Sequence, residues 1–171
     1  MRDARSTTAV LLVDDHEENL LALEAILEPT GYRLVRARSG DEALRALLRD
    51  EFAAILLDVQ MPGIDGFETA RLIRARERTR SVPIIFVTAI SKTPEHVFRG
   101  YDAGAVDYLF KPVDPLILRS KVEVFGELHE RGRALAEREE QLRLFFLDGR
   151  NALDPDRWRQ AGWTYRALGR P

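Results

Sequence analysis

Five short, largely apolar runs, each followed by or ending in a polar residue, constrain the fold of this chain most strongly. The four strongest are Val10–Val13, Ala53–Leu57, Pro83–Val87 and Ala105–Phe110, and a weaker one is Tyr32–Ala37. Apolar runs of this length are typical of strands that are buried on both faces, as in parallel sheets. The sequence therefore predicts five parallel strands.

Helical patterns occupy the segments between these runs. Leucines at helical spacing precede Pro29 and Gly31, a capping box extends from Ser39 to Glu42, and a third helix covers Gly66–Arg76. A fourth helix is predicted from Thr93–Pro94 to Gly104, and a long fifth helix begins at Pro115. Strand and helix alternate five times, which favours a doubly wound α/β fold with right-handed crossovers and helices on both faces.

Polar residues stand where the predicted strands end: Asp14, Asp15, Asp58, Thr88 and Lys111. Ligands of such sheets bind at the carboxyl ends of the strands, so these side chains should converge on one edge. Three carboxylates that meet raise one another's pKa values unless a cation joins them. Oxygen ligands without soft ones favour Mg²⁺, and a lysine with a threonine hydroxyl suits a phosphoryl group.

Composition limits the classes of protein that fit. The chain has 171 residues, 45% of them hydrophobic and 32% charged, which suits one globular domain with an appendage. It contains no cysteine, so disulfides and thiolate chemistry are excluded. The net charge of -2 argues against direct nucleic-acid binding. We expect a cytoplasmic protein without membrane insertion, because no apolar stretch is long enough to span a bilayer.

Four separate motifs occur in a specific order: Leu11–Asp15, Leu57–Gly66, Val87–Ala89 and Phe110–Pro112. With these motifs the chain resembles the bacterial response-regulator receiver family, over residues 8–125. The resemblance implies a flavodoxin-like fold and a receiver in a two-component phosphorelay. Such a module is not an enzyme in the usual sense, because it catalyses only its own phosphoryl transfer and autodephosphorylation.

The resemblance also implies a role for each site residue. Asp58 would accept a phosphoryl group from a phosphohistidine on a sensor histidine kinase or a phosphotransfer protein. Asp15 and Asp58 would ligate Mg²⁺ directly, Asp14 would act mainly through water, and the backbone carbonyl of Gln60 would complete the site.

The remaining residues of the pattern concern the phosphoryl group and the response to it. Lys111 and Thr88 would hold phosphoryl oxygens. Thr88 and Tyr108 would form the switch, in which the aromatic ring follows the threonine inward. The Lys111–Pro112 peptide bond is expected to be cis by resemblance.

Three other functions compete with that of a phosphate-accepting receiver. An interaction module of the same fold could signal without phosphate, although the site residues are intact. A haloacid-dehalogenase-type phosphatase needs a second acid at Gln60, and a nucleotide-binding Rossmann domain needs a glycine-rich turn after the first strand. His16 follows the acid pair but is expected to be a solvated residue of the first helical turn, and His129 is expected to lie on a helix surface.

The sequence continues beyond the domain. Residues 126–147 are predicted to extend the last helix to about Phe146, and Leu128, Leu135 and Leu142 recur every seventh residue. This spacing favours a coiled-coil homodimer, although arginines on the other seam leave a single solvated helix as an equal alternative. The tail, residues 148–171, is expected to dock on the domain, to bind a partner, or to be the remnant of an output domain. The chain as a whole could also be the N-terminal receiver of a larger kinase, phosphatase or cyclase.

Overall fold

A central parallel sheet organises the chain in the computed structural model, which describes residues 7–89, 102–105 and 107–151 and the side chains as far as 144. The strands are β1 (Ala9–Val13), β2 (Arg33–Ala37), β3 (Ala54–Leu57), β4 (Ile84–Thr88) and β5 (Asp107–Phe110). Their order in the sheet is β2-β1-β3-β4-β5, and every neighbouring pair is parallel. All five predicted strands are confirmed, and the order is that of a flavodoxin-like sheet.

The helices follow the predicted alternation. They are α1 (Glu17–Leu27), which continues into a 3-10 turn at Glu28–Thr30, α2 (Gly40–Arg49), α3 (Gly66–Ala75) and α4 (Pro115–Asn151). The helix predicted between Thr93 and Gly104 falls mainly on residues 90–101, outside the described part of the chain. The long C-terminal helix is confirmed, and it continues past the predicted end near Phe146 to Asn151.

Local capping explains where two of these helices begin. The Ser39 hydroxyl accepts a hydrogen bond from the Glu42 amide at 3.1 Å, as the capping box predicts. The Asp65 carboxylate accepts one from the Glu68 amide at 2.8 Å. Each bond satisfies an amide that the first turn of a helix leaves without a partner.

Apolar side chains cover both faces of the sheet, as a doubly wound fold requires. One face packs residues such as Leu12 and Ile85 against α1 and the start of α4, where Leu118 and Val122 are buried. The other packs Leu11 and Phe86, among others, against α2 and α3. The central strands β1, β3 and β4 are therefore buried on both sides, and their carboxyl ends are held in fixed positions.

Helix α4 is seated on the sheet domain through a close contact at a glycine. A Cβ on Gly126 would lie 2.2 Å from the Tyr32 Oη, which donates a hydrogen bond to the Glu123 carbonyl at 3.5 Å. One turn later, the Thr8 hydroxyl donates to the Glu130 carboxylate at 3.2 Å.

The first compact unit of the chain ends at Arg131 and the second begins at Gly132. The division into residues 8–125, 126–147 and 148–171 stays a prediction.

Among the residues that the structure describes, no helix is both long and apolar enough to cross a membrane.

Two glycines of α4 provide a matched test of this seating. Gly126→Ala should lower the free energy of unfolding by about 1–3 kcal/mol, because the new methyl group overlaps the Tyr32 ring. Gly132→Ala should not lower it, since a Cβ there meets nothing within 4 Å and alanine is the better helix former. Urea denaturation followed by circular dichroism measures both. Equal effects of the two substitutions would contradict the seating.

Candidate functional site

The polar residues predicted from the sequence lie together at the carboxyl edge of the sheet. Asp14 and Asp15 follow β1, Asp58 follows β3, Thr88 ends β4, and Lys111 follows β5. Backbone hydrogen bonds join these ends: the Asp58 amide donates to the Val13 carbonyl at 2.9 Å, and the Lys111 amide to the Thr88 carbonyl at 2.9 Å. The edge thus brings residues from four separate parts of the chain into one site.

Lys111 connects the two buried carboxylates of the site. Its Nζ lies 2.7 Å from the Asp14 Oδ2 and 3.7 Å from the Asp58 Oδ1. Asp14 and Asp58 are only 1% and 5% exposed, so the ammonium group acts in a poorly solvated setting. There its charge is weakly screened and offsets the repulsion between the carboxylates.

Asp14 is held in its ionised form by a set of donors. Burial alone raises the pKa of Asp14, but hydrogen bonds from Lys111, from Asn19 and from the His16 amide outweigh it and lower this pKa below its usual value. Asn19 Nδ2 and the His16 amide both reach the Oδ1, at 3.0 and 2.9 Å, while Lys111 takes the Oδ2. Because both oxygens already have partners, Asp14 is suited to organise the site more than to bind a ligand directly.

The pKa of Asp58 is shifted in the opposite direction, upward. Burial raises the pKa of Asp58 most, and the charges of Asp14 and Asp15 raise it further, against the lowering effect of Lys111 and of the Val59 amide. A carboxylate whose ionised form is disfavoured gains from any cation or covalent partner that removes its charge. Of the two buried carboxylates, Asp58 is therefore the one whose negative charge is not compensated by hydrogen-bond donors to the same extent.

The loop that follows Asp58 depends on a glycine. A Cβ on Gly66 would lie 2.2 Å from the Asp58 carbonyl oxygen, and the Gly66 amide donates to the Val59 carbonyl at 2.9 Å. Any larger residue would push the start of α3 away from Asp58. The Gln60 side chain is exposed, as expected of a residue whose predicted contribution is its backbone carbonyl.

Thr88 and Tyr108 lie on the neighbouring strands β4 and β5, where Thr88 is opposite Phe110 and Tyr108 is opposite Phe86. Thr88 is fully buried at the end of β4. Tyr108 is 8% exposed, and its ring lies 5.5 Å from that of Phe86 and 5.1 Å from that of Phe110, measured between centroids. The ring is thus packed inside the domain. The expected cis peptide bond between Lys111 and Pro112 is present.

The side chains at this edge offer ligand atoms that suit a divalent cation. Ligand atoms of Asp14, Asp15 and His16 all lie within 4.8 Å of one another, and Asp15 retains 22% exposure of its side chain. Carboxylate oxygens at a partly open edge, next to Asp58 with its disfavoured charge, fit a hard divalent ion. Asp15 is the carboxylate of the β1 pair best placed to bind it directly.

Sequence reasoning missed two contributors. Asn19 donates to Asp14 from one turn into α1, and the only signal was a polar residue five positions after the acid. The His16 ring was expected to be solvated, and it is 61% exposed, but its Nδ1 also lies 3.1 Å from the Asp15 Oδ1. That contact depends on the extended backbone of His16 at the start of α1, which the sequence does not specify.

Comparison with known proteins agrees with this geometry. The sequence model of the family described as "Response regulator receiver domain" matches residues 10–123. The response regulator PleD of Caulobacter vibrioides is 36% identical over 171 aligned positions, which cover 94% of this chain and 37% of that protein. A Vibrio cholerae protein named "Probable cyclic di-GMP phosphodiesterase" is 38% identical over 117 positions, covering 68% of this chain and 26% of its own length. The chain thus spans little more than a third of these relatives at most.

A solved structure shares the fold. The receiver domain of a sensor histidine kinase from Pseudomonas aeruginosa, with magnesium coordinated in its active-site cleft, superposes with a TM-score of 0.64 at 35% identity. The match covers 70% of this chain and 98% of that domain. Sequence profile, relatives and fold thus agree, and the chain belongs to the response regulator receiver domain family of two-component signalling systems.

Proposed function

We propose that Asp58 is the phosphoryl acceptor of this receiver and that its donor is a phosphohistidine on a sensor histidine kinase or a phosphotransfer protein in the cytoplasm. The observation that carries the proposal is a buried carboxylate whose charge is disfavoured, 3.7 Å from the Lys111 ammonium. Transfer replaces the single charge of the carboxylate by the larger negative charge of an acyl phosphate. It therefore requires positive charge next to the phosphoryl oxygens, and Lys111 supplies that charge.

The transfer requires few protein groups. An Asp58 carboxylate oxygen bonds to phosphorus while the nitrogen–phosphorus bond of the phosphohistidine breaks, and the imidazole leaves with the bonding electrons. The product is an acyl phosphate on Asp58. Hydrolysis of this acyl phosphate by water would return the free carboxylate, which is the autodephosphorylation expected of the family.

Mg²⁺ is the proposed cofactor, and Asp15, Asp58 and the Gln60 carbonyl are the residues that would hold it. When bound, it would neutralise charge on the carboxylates and on the phosphoryl oxygens. Asp14 would fix Lys111 and orient water near the ion, since its own oxygens already accept three hydrogen bonds.

Thr88 and Tyr108 are the proposed switch. Phosphoryl oxygens at Asp58 would draw the Thr88 hydroxyl, and a change in the packing of Tyr108 against Phe86 and Phe110 would carry the change to the surface. The relatives that extend well beyond the aligned region support an additional proposal, that the receiver controls an output domain of a larger protein.

Phosphorylation of Asp58 can be tested with a small donor. Asp58→Asn should abolish incorporation of phosphate from acetyl phosphate and Mg²⁺, because the amide is no nucleophile. Intact-protein mass spectrometry measures the incorporation. Asp65→Asn is the matched control, since Asp65 is a helix cap near the site and asparagine caps equally well.

The outcomes separate the two candidate functions. If the wild type and Asp65→Asn incorporate phosphate and Asp58→Asn does not, the result supports Asp58 as the phosphoryl acceptor. Absence of labelling in every protein, with no spectral response to beryllofluoride, favours an interaction module that works without phosphate. Labelling of Asp58→Asn would place the acceptor elsewhere.

The two buried carboxylates should show opposite pH dependence in metal-free protein. The raised pKa of Asp58 means that its charge destabilises the fold above that pKa, so Asp58→Asn should raise the free energy of unfolding at neutral pH. This gain should vanish as the pH falls through the folded pKa of Asp58 to below its unfolded value of 3.8. The lowered pKa of Asp14 has the reverse sign, so Asp14→Asn should destabilise at neutral pH and lose its effect in acid.

Urea denaturation in the presence of EDTA at several pH values measures both effects. Stability changes of the same sign for the two variants at neutral pH would contradict the assigned electrostatics.

We also propose that the chain forms a homodimer through α4, because leucines on this helix are exposed. Leu128, Leu135 and Leu142 are 57%, 63% and 53% exposed at sevenfold spacing. Leu135→Glu should convert a dimer into a monomer in light scattering after size exclusion, because a charge enters the seam. Leu144→Glu, 57% exposed in the wild type but off the heptad, should leave the dimer intact. If the wild type is a monomer in the same measurement, the proposed homodimer is wrong.

A further inference from the structure

His16 contacts the acidic edge at a distance that suits a shared ligand. Its Nδ1 lies 3.1 Å from the Asp15 Oδ1 and 3.5 Å from the Asp14 Oδ1. Two donor atoms that bind one cation at right angles, each about 2.1 Å from it, are separated by about 3 Å. The Asp15–His16 pair therefore already has the spacing of neighbouring positions in an octahedral site.

The backbone holds the imidazole in this place. His16 has an extended conformation, with φ -100° and ψ 119°, and its amide donates to the Asp14 Oδ1 at 2.9 Å. The ring is 61% exposed, so a cation can approach it from solvent. Asp14 already accepts hydrogen bonds from Lys111, Asn19 and this amide, and its side chain is buried, whereas the side chains of Asp15 and His16 remain partly exposed.

The chemistry of an imidazole changes which ion such a site prefers. Mg²⁺ is bound mainly by oxygen, whereas Mn²⁺ and especially Co²⁺ and Ni²⁺ gain from a nitrogen ligand. A single imidazole added to carboxylates and a carbonyl should therefore favour these transition ions over Mg²⁺.

We propose that His16 is a ligand, through Nδ1, of the divalent cation held by Asp15, and that it biases the site toward Mn²⁺ and Co²⁺ over Mg²⁺. The proposal rests on the metal site of the proposed function and adds a ligand to it. The ring binds as the neutral tautomer with its proton on Nε2, so the hydrogen bond to Asp15 is replaced by a shared ion.

Calorimetric titration with Mg²⁺, Mn²⁺ and Co²⁺ tests the selectivity. His16→Ala should weaken Mn²⁺ and Co²⁺ binding by about tenfold or more and change Mg²⁺ binding far less. His129→Ala, which removes an imidazole at the opposite end of the sheet, should change none of the three affinities. Asp15→Asn should weaken all of them.

Electron spin-echo spectroscopy of the Mn²⁺-loaded protein tests the bond itself. Wild type and His129→Ala should show modulation from a directly bound nitrogen, and His16→Ala should not. Absence of this modulation in the wild type, or equal losses of Mg²⁺ and Mn²⁺ affinity in His16→Ala, overturns the His16 ligand and leaves the Mg²⁺ site of the proposed function standing. If the wild type binds none of the ions, or Asp15→Asn binds Mg²⁺ unchanged, the proposed metal site itself is wrong.

Discussion

The placement of one ammonium group between two buried carboxylates is the constraint on which the site depends. Lys111 lies 2.7 Å from Asp14 and 3.7 Å from Asp58, and the environment separates the two acids electrostatically. Donors surround Asp14 and lower its pKa, whereas burial and neighbouring charges raise that of Asp58. Two identical side chains thus acquire opposite pKa shifts because their partners differ, and this difference underlies the roles proposed for them.

The rigidity of the sheet keeps the two acids and the lysine close together despite the repulsion between the carboxylates. Strands β1, β3 and β4 are buried along their whole described length, so their ends cannot move apart to relieve the repulsion of the acids. The close approach at Gly66 adds a second restraint, since it brings the first turn of α3 against the Asp58 backbone. Packing thus holds in place an arrangement of charges that would otherwise separate in water.

Much of this arrangement was predictable from local patterns. The apolar runs predicted the central strands β1, β3 and β4, because strands buried on both faces need apolar residues at nearly every position. The edge strands β2 and β5 are partly exposed, and each of them includes at least one charged residue. Since parallel strands end at the same edge, the sequence also predicted that Asp58 and Lys111 would meet there. The role of Asn19 and the position of the His16 ring were not predictable, because each depends on side-chain and backbone geometry at the start of α1.

The sequence by itself determined the fold class, the edge on which the polar residues gather and the family to which the chain belongs. These follow from periodicity, chain order and motif spacing, which are read along the chain without knowledge of distances in space. Only the tertiary structure decided which carboxylate has a lowered pKa and which a raised one, that Tyr108 is packed inward, and that the Tyr32 ring leaves no room for a side chain at Gly126. Those outcomes depend on distances between residues that are far apart in the chain. Such distances, together with burial, set the Coulomb and contact energies, and neither can be read from the sequence.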